Sequence, residues 1–393
     1  MANDVVILSA ARTAIGSFMG ALSTTPAPRL GATAIKAALE RAKLDPAKVD
    51  QVIMGNVLTA GEGQAPARQA AIFAGIPHAT GATTINKVCG SGMQAVNLAR
   101  NAILTGESKI VMAGGMENMS LTPYLMHEAR TGFRMGDKKL VDSMVSDGLW
   151  DIYNNFHMGN AAEKCVKEFK FTREEQDRFS RQSFERAQEA IKSGAFSKEI
   201  TPVSIAQKKG DPLLFATDEG PAKADFSKMP NLKPVFEKDG TITAANASTI
   251  NDGAAALLVS DSATAASLGV KPLARILSCA IHAQAPEWFT TAPVEAMKKA
   301  LAKANLKIGD IDLFEVNEAF AVVALAAAKS LEIPESKLNI NGGGISLGHP
   351  IGASGARIIV TLLHAMEAKG AKRGMASLCI GGGEGIAMIV ERI

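Results

Sequence analysis

Cys89 stands in the stretch Asn86-Lys87-Val88-Cys89-Gly90-Ser91-Gly92-Met93. Before it, Thr83-Thr84-Ile85 reads as a strand; after it, Met93, Val96, Ala99 and Ile103 recur at helical spacing, with Gly106 as a stop. The thiol is therefore expected on a glycine-flanked turn at a helix N-terminus, where unpaired N–H groups and the helix dipole favour an anion. A cysteine so placed should have a lowered pKa and be nucleophilic, because the thiolate is the reactive form. Taken alone, the stretch fits a buried structural cysteine beside a packing Gly-x-Gly equally well.

Three stretches near the C-terminus break that tie. Asn317-Glu318-Ala319-Phe320 ends the apolar run Leu313-Phe314-Glu315-Val316, and Gly348-His349-Pro350-Ile351-Gly352 leads into a helix. Cys379 precedes Gly381-Gly382-Gly383. Each lies where a strand ends or a helix begins, the usual place for ligand chemistry in an open α/β sheet. A nucleophilic thiol needs a base, and His349 has the most unusual setting among the histidines. Two thiols and one imidazole suit C–C bond chemistry beside a thioester. That chemistry needs an acyl acceptor, a separate base for an α-proton, and N–H donors for a developing oxyanion.

These residues must be held by a scaffold, and strands alternate with helices along the first 120 positions. Val5–Leu8 and Val49–Met54 read as buried strands, and Gly31–Lys43 as a helix ended by Asp45-Pro46. Such alternation predicts an α/β fold with a largely parallel sheet. From Ser120 to about Ser248 the pattern changes. A helix begins at Thr172 with Glu175 completing a capping box, and it stops at Gly194. This region reads as an insertion laid over the main fold, a lid or an interface. Past Asp252 the alternation returns as an internal repeat. Ile7-Leu8-Ser9-Ala10-Ala11 is echoed by Ile276-Leu277-Ser278-Cys279-Ala280, and Ala34, Ala38, Leu39, Ala42 and Leu44 by Ala296, Ala300, Leu301, Ala304 and Leu306. Gly90-Ser91-Gly92 pairs likewise with Ala353-Ser354-Gly355. Two related halves, packed as a pseudo-dimer, would turn matching helix N-termini toward one shared site.

Bulk properties narrow the class. With 393 residues, several domains and an ample core are expected. The net charge of +3 gives no case for nucleic acid. The four cysteines, Cys89, Cys165, Cys279 and Cys379, lie far apart with no metal-ligand spacing, so free thiols in a reducing compartment and no metal are expected. No apolar run is long enough for a membrane span. The early strand leaves no room for a signal peptide and Glu391-Arg392-Ile393 is not a peroxisomal tail, so the cytoplasm is expected. A dinucleotide fingerprint after the first strand is absent.

Together, Asn86–Gly92, Asn317–Phe320, Gly348–Gly355 and Cys379–Gly383 resemble the motifs of the thiolases, the biosynthetic acetyl-CoA acetyltransferases in particular. The resemblance runs through the whole chain, including Ala113–Ser120 and Asp147–Trp150. It implies reversible Claisen condensation of two acetyl-CoA to acetoacetyl-CoA and CoA through an acetyl-cysteine, in ping-pong order. CoA thioesters are the substrates and no cofactor is needed. A broader-chain 3-ketoacyl-CoA thiolase of fatty-acid β-oxidation is the alternative. Cys89 would take the acetyl group, His349 would activate it, and Cys379 would remove the α-proton. His349 with a water held by Asn317 would form one oxyanion hole, and the N–H groups of Cys89 and Gly381 the other. His157, Met158, Ser248, Ala319 and Phe320 would line the pantetheine channel. Phe289, in Trp288-Phe289-Thr290 where relatives carry a Met-Gly pair, would favour short or branched acyl groups. The family's nucleotide-site arginine is missing after Asp218-Glu219, and Lys228 stands where a serine is common. The implied fold is a five-layer αβαβα sandwich of two similar halves: residues 1–119 with 249–272, and residues 273–393. The inserted loop domain, 120–248, would serve CoA binding and oligomer contacts, with a homotetramer expected.

Overall fold

The computed structural model describes residues 4–393. The first part of the chain forms β1 (Val5–Thr13), α1 (Ala27–Ala42), β2 (Gln51–Gly55), α2 (Pro66–Phe73), β3 (Gly81–Ile85), α3 (Ser91–Leu104) and β4 (Ile110–Asn118). There follow α4 (Met158–Phe169), α5 (Arg173–Lys192), β5 (Asn251–Asp261), α6 (Ser262–Leu268), β6 (Ala274–Ala283) and α7 (Ala292–Ala304). Last come β7 (Leu313–Val316), α8 (Ala321–Leu331), α9 (Ile351–Lys369), β8 (Arg373–Ile380) and β9 (Glu384–Arg392).

Strand order is β3-β2-β4-β5-β1 in the first half and β7-β8-β9-β6 in the second, with β1 and β6 joined edge to edge at Val6–Arg275 and Ile7–Ala274. Three apolar cores hold five layers together, the central one covering both faces of the middle helices. Helices α1 and α2 cover the outer face of the first sheet, α3 and α9 lie between the two sheets, and α7 and α8 cover the outside of the second. Helix α9 is buried from Ile351 through Leu363 on all sides, as its apolar run demands.

The sheet is mixed, which corrects the largely parallel expectation. The β-α-β crossovers give parallel pairs, β2 with β3 and β4, and β7 with β8, and the short segment Ile200–Thr201 also runs parallel to β1. The hairpin β8–β9 turns on Gly381–Gly383, and β5 and β6 run antiparallel to their neighbours. Helical and strand periodicities in the sequence carry no sign of strand direction.

The repeat extends to single hydrogen bonds. Ser9 Oγ donates to Ala38 O at 2.6 Å, and Ser278 Oγ to Ala300 O at 2.8 Å. Both strands bulge one residue earlier, at Leu8 and Leu277. Asp50 Oδ2 accepts the N–H groups of Lys109 and Ile110, and Asp312 Oδ2 those of Lys372 and Arg373. In the inserted region, the Thr172–Glu175 capping box is formed at the start of α5, and Gly194 follows its end at φ +73°.

Candidate functional site

Cys89 sits in the turn between β3 and α3, two residues ahead of the first helical residue, Ser91. Asn86 Oδ1 accepts the Val88 N–H at 2.9 Å, while Ser91 Oγ accepts from Lys87 N at 2.8 Å and donates to Val88 O at 2.7 Å. This bracing holds Val88 at φ +45°, a left-handed conformation that β-branched residues rarely adopt. Strain of this kind, on the order of 1–3 kcal/mol, persists only where the surroundings over-determine it.

His349 follows Gly348, whose φ of +111° and contact with Asn251 leave no space for a side chain: a Cβ there would stand 2.4 Å from Asn251 Cγ. Asn251 Oδ1 accepts the His349 N–H at 3.0 Å and its Nδ2 donates to Gly16 O, so the turn is tied to the opposite half. The ring is almost fully buried, with Nδ1 2.6 Å from Ser354 Oγ. That hydroxyl also lies 2.9 Å from Pro350 O. Because the hydroxyl donates to Pro350, we assign the proton to Nδ1, which leaves the Nε2 lone pair free to accept another. Asn317 Nδ2 stands 3.4 Å from both ring nitrogens.

Cys89, His349 and Gly381 line one cleft of about 770 Å³, together with His157, Met158, Ser248, Phe289, Ala319 and Phe320. Cys379 lies directly behind this wall, fully buried and packed with Met158, Phe289, Ala319 and Phe320. Asn317, also fully buried, is reached through His349. His157 caps α4 by accepting the Gly159 N–H at Nδ1, and its ring stacks on Phe236 at 4.8 Å. Phe236 and Phe289 both meet Phe320 edge-on, at 6.1 and 6.4 Å. Ser248 N donates to Ala319 O, which fixes one wall to the other. Lys223 and Lys228 stand in the same cleft, Lys228 paired to Asp225 at 2.9 Å.

The electrostatics differ from the lowered thiol pKa expected of Cys89. Burial pushes its thiol up to about 11, and the N–H groups of Gly381 and of Cys89 itself offset only part of that. The helix dipole is a short-range effect and desolvation outweighs it here. Burial also raises Cys379 well above its ordinary value, and the nearby Cys89 adds to the shift. His349 is pushed down to about 3 by burial, helped by the Arg357 guanidinium. At rest the site therefore holds two thiols and a neutral imidazole. Burial also lowers the pKa of His157.

Two contributors had no distinct signal in the sequence. Ser354, five residues past His349, belongs to the repeat and to the Gly348–Gly355 motif, neither of which singles it out. Glu117 is fully buried and accepts from Asn56 Nδ2, Val57 N, Leu58 N and Gly352 N at 2.8–3.1 Å, tying the loop after β2 to the first turn of α9. Among the described residues, no group of three or more His, Cys, Asp or Glu is placed to hold a metal ion, and no helix is long and apolar enough to cross a membrane.

Comparison with known proteins bears on this geometry. Residues 5–263 match the family description "Thiolase, N-terminal domain" and residues 270–392 match "Thiolase, C-terminal domain". The chain belongs to the thiolase family. This thiolase is 57% identical over 390 residues to an acetyl-CoA acetyltransferase of Cupriavidus necator, with 99% of each chain covered. It is 52% identical over 392 residues to one of Escherichia coli, again covering 99% of each. A crystal structure of the Bacillus anthracis acetyl-CoA acetyltransferase superposes on this thiolase with a TM-score of 0.97 at 39% identity, covering 100% of this chain and 99% of that one.

Proposed function

We propose that this thiolase is an acetyl-CoA C-acetyltransferase that joins two acetyl-CoA into acetoacetyl-CoA and CoA, reversibly and by ping-pong transfer through Cys89. One observation carries the reading: Cys89, His349 and Gly381 line one cleft with Cys379 directly behind it. Relatives named acetyl-CoA acetyltransferase over the full chain support it.

His349 Nε2 takes the Cys89 proton, and the sulfur attacks the acetyl carbonyl. The N–H groups of Cys89 and Gly381 receive the oxyanion. CoA thiolate leaves and takes the proton from His349. For the second acetyl-CoA, the Cys379 proton passes to His349, and the resulting thiolate removes the α-proton. Imidazolium Nε2–H and a water held by Asn317 then bear the enolate oxygen. The enolate carbon attacks the acetyl-Cys89 carbonyl, and the departing Cys89 sulfur recovers a proton from His349. The original Cys89 proton leaves on CoA, the Cys379 proton ends on Cys89 and the α-proton stays on Cys379, so each residue regains its resting protonation. The chemistry needs no cofactor besides the CoA thioester substrates.

His157, Met158, Ser248, Ala319 and Phe320 form the pantetheine channel in this reading. Lys223 and Lys228 supply positive charge for the CoA phosphates. The edge-on Phe289–Phe320 pair closes the acyl end and restricts it to short chains. We further propose the division into residues 1–119 with 249–272, a loop domain at 120–248, and residues 273–393. A homotetramer is also proposed, built on the open edge strand β3 and on the exposed Met126, Phe133, Met135 and Leu140. The setting we propose is the cytoplasm and fatty acid metabolism.

Mass spectrometry after mixing with acetyl-CoA should show an acetyl group on the Cys89 peptide; its absence would sink the proposal. Thiolysis across a chain-length series should favour acetoacetyl-CoA. Efficient turnover of much longer 3-ketoacyl chains would instead assign a broad-chain thiolase.

A further inference from the structure

The two N–H donors over the Cys89 sulfur belong to different halves of the chain, so no local covalent path sets their spacing. Gly381 heads a run of three glycines, with Gly382 and Gly383 at φ +88° and +87°, and Glu384 carries the first side chain beyond them. Such a run has little intrinsic stiffness. On its far side, Gln284 N donates to Gly383 O at 2.9 Å. Toward Cys89, besides the Gly381 N–H directed at its sulfur, there are three contacts. A Cβ on Gly381 would meet Val88 Cγ1 at 3.5 Å. Ile380 abuts Gly90 so closely that a Cβ there would lie 2.4 Å from Ile380 Cδ1. The third contact is polar: the Lys87 ammonium pairs with the Glu384 carboxylate, both partly solvated at 22% and 32% exposure.

We propose that the Lys87–Glu384 ion pair is a positioning latch, which holds the nucleophile turn of one half against the glycine loop of the other and so fixes the Cys89 and Gly381 N–H groups around the reacting oxygen. Lys87 lies two residues before Cys89 and Glu384 three after Gly381, so the pair spans both donors from outside the cleft. Neither residue lines the cleft. Among the three contacts toward Cys89, only this one is electrostatic and within reach of dissolved salt. The latch rests on the proposed acetyl-transfer role of the cleft.

A double-mutant cycle on the full-length protein tests it. Lys87→Met and Glu384→Gln should each lower the kcat of acetoacetyl-CoA thiolysis by about three- to fivefold, the scale of a partly exposed ion pair, with KM and the unfolding midpoint unchanged. The double variant should be no slower than either single. Lys87→Glu combined with Glu384→Lys should regain most of the lost rate. Wild-type kcat should also fall with added NaCl, while that of Lys87→Met should not. Full kcat in either single variant, additive losses, or a reversed pair with no recovery would overturn the latch. Acetylation of Cys89 in the wild type is measured alongside: its failure defeats the reading of the cleft, whereas an active wild type with unaffected variants defeats the latch alone.

Discussion

Gly92 and Gly355 interlock where α3 crosses α9: a Cβ on Gly92 would stand 2.6 Å from Ala356 N, and one on Gly355 would stand 2.4 Å from Met93 N. The contact is reciprocal, as a duplicated chain folded about a pseudo-twofold axis requires. The first helix carries Cys89 at its N-terminal end and the second carries His349. Their approach therefore decides whether thiol and imidazole share a cleft. Gly355→Ala gains helix propensity but forces two backbones apart. It should lower stability by about 2 kcal/mol, the usual scale of overpacking. Urea denaturation checks this, and kcat should fall in parallel.

Ser354 keeps the proton of His349 on Nδ1. Ser354→Ala removes that partner and lets the ring change tautomer or turn. We expect the rate of acetyl transfer to fall by about ten- to a hundredfold, less than loss of a general base itself. Stopped-flow acetylation by acetyl-CoA reads this step, and an unchanged rate would remove Ser354 from the mechanism.

The two thiols are separable. Cys89→Ala should take up no acetyl group. Cys379→Ser should still acetylate Cys89 and yet lose condensation, since a hydroxyl is a far weaker acid than a thiol and does not yield the anion that removes the α-proton. Asn317→Ala should cost about 10- to 1000-fold in turnover, the scale of one oxyanion donor, with acetylation of Cys89 largely spared. Mass spectrometry and steady-state assays on the same samples distinguish these outcomes.

With the Cys89 thiol raised to about 11 and His349 lowered to about 3, the unliganded enzyme contains no thiolate–imidazolium pair. Alkylation of Cys89 by iodoacetamide should rise by about tenfold per pH unit above neutrality, following the thiolate fraction. A plateau near pH 7 would contradict this and indicate a pre-formed ion pair.

Glu62 and Glu117 interact across the loop after β2, and burial lifts them to about 8 and about 7. Both bind a proton more tightly folded than unfolded. Their contribution is thus complete below the ordinary glutamate value of 4.5 and is lost as pH rises toward 8. Thermal unfolding between pH 5 and 8 should show stability falling through that window, and Glu62→Gln should flatten the decline.

The sequence by itself marked the candidate reactive residues and the duplication. Cys89 and His349 sit in glycine-marked turns that lead into helices, and Cys379 lies near the end of β8 just before the glycine turn. The echo of Ser9 by Ser278 and of Ala38 by Ala300 reappears as matching hydrogen bonds. Such signals are local, because turn chemistry and apolar spacing are written within a few residues. Only the tertiary structure decided strand direction, the burial that raises the Cys89 pKa against the pull of its helix, and the roles open to Ser354 and Glu117. Those properties depend on which distant groups surround a residue: the desolvation of Cys89 comes from packing across both halves, and Glu117 on β4 reaches Gly352 in α9 across 235 positions of chain. Spacing within one half cannot encode the water and charge that the other half excludes or supplies.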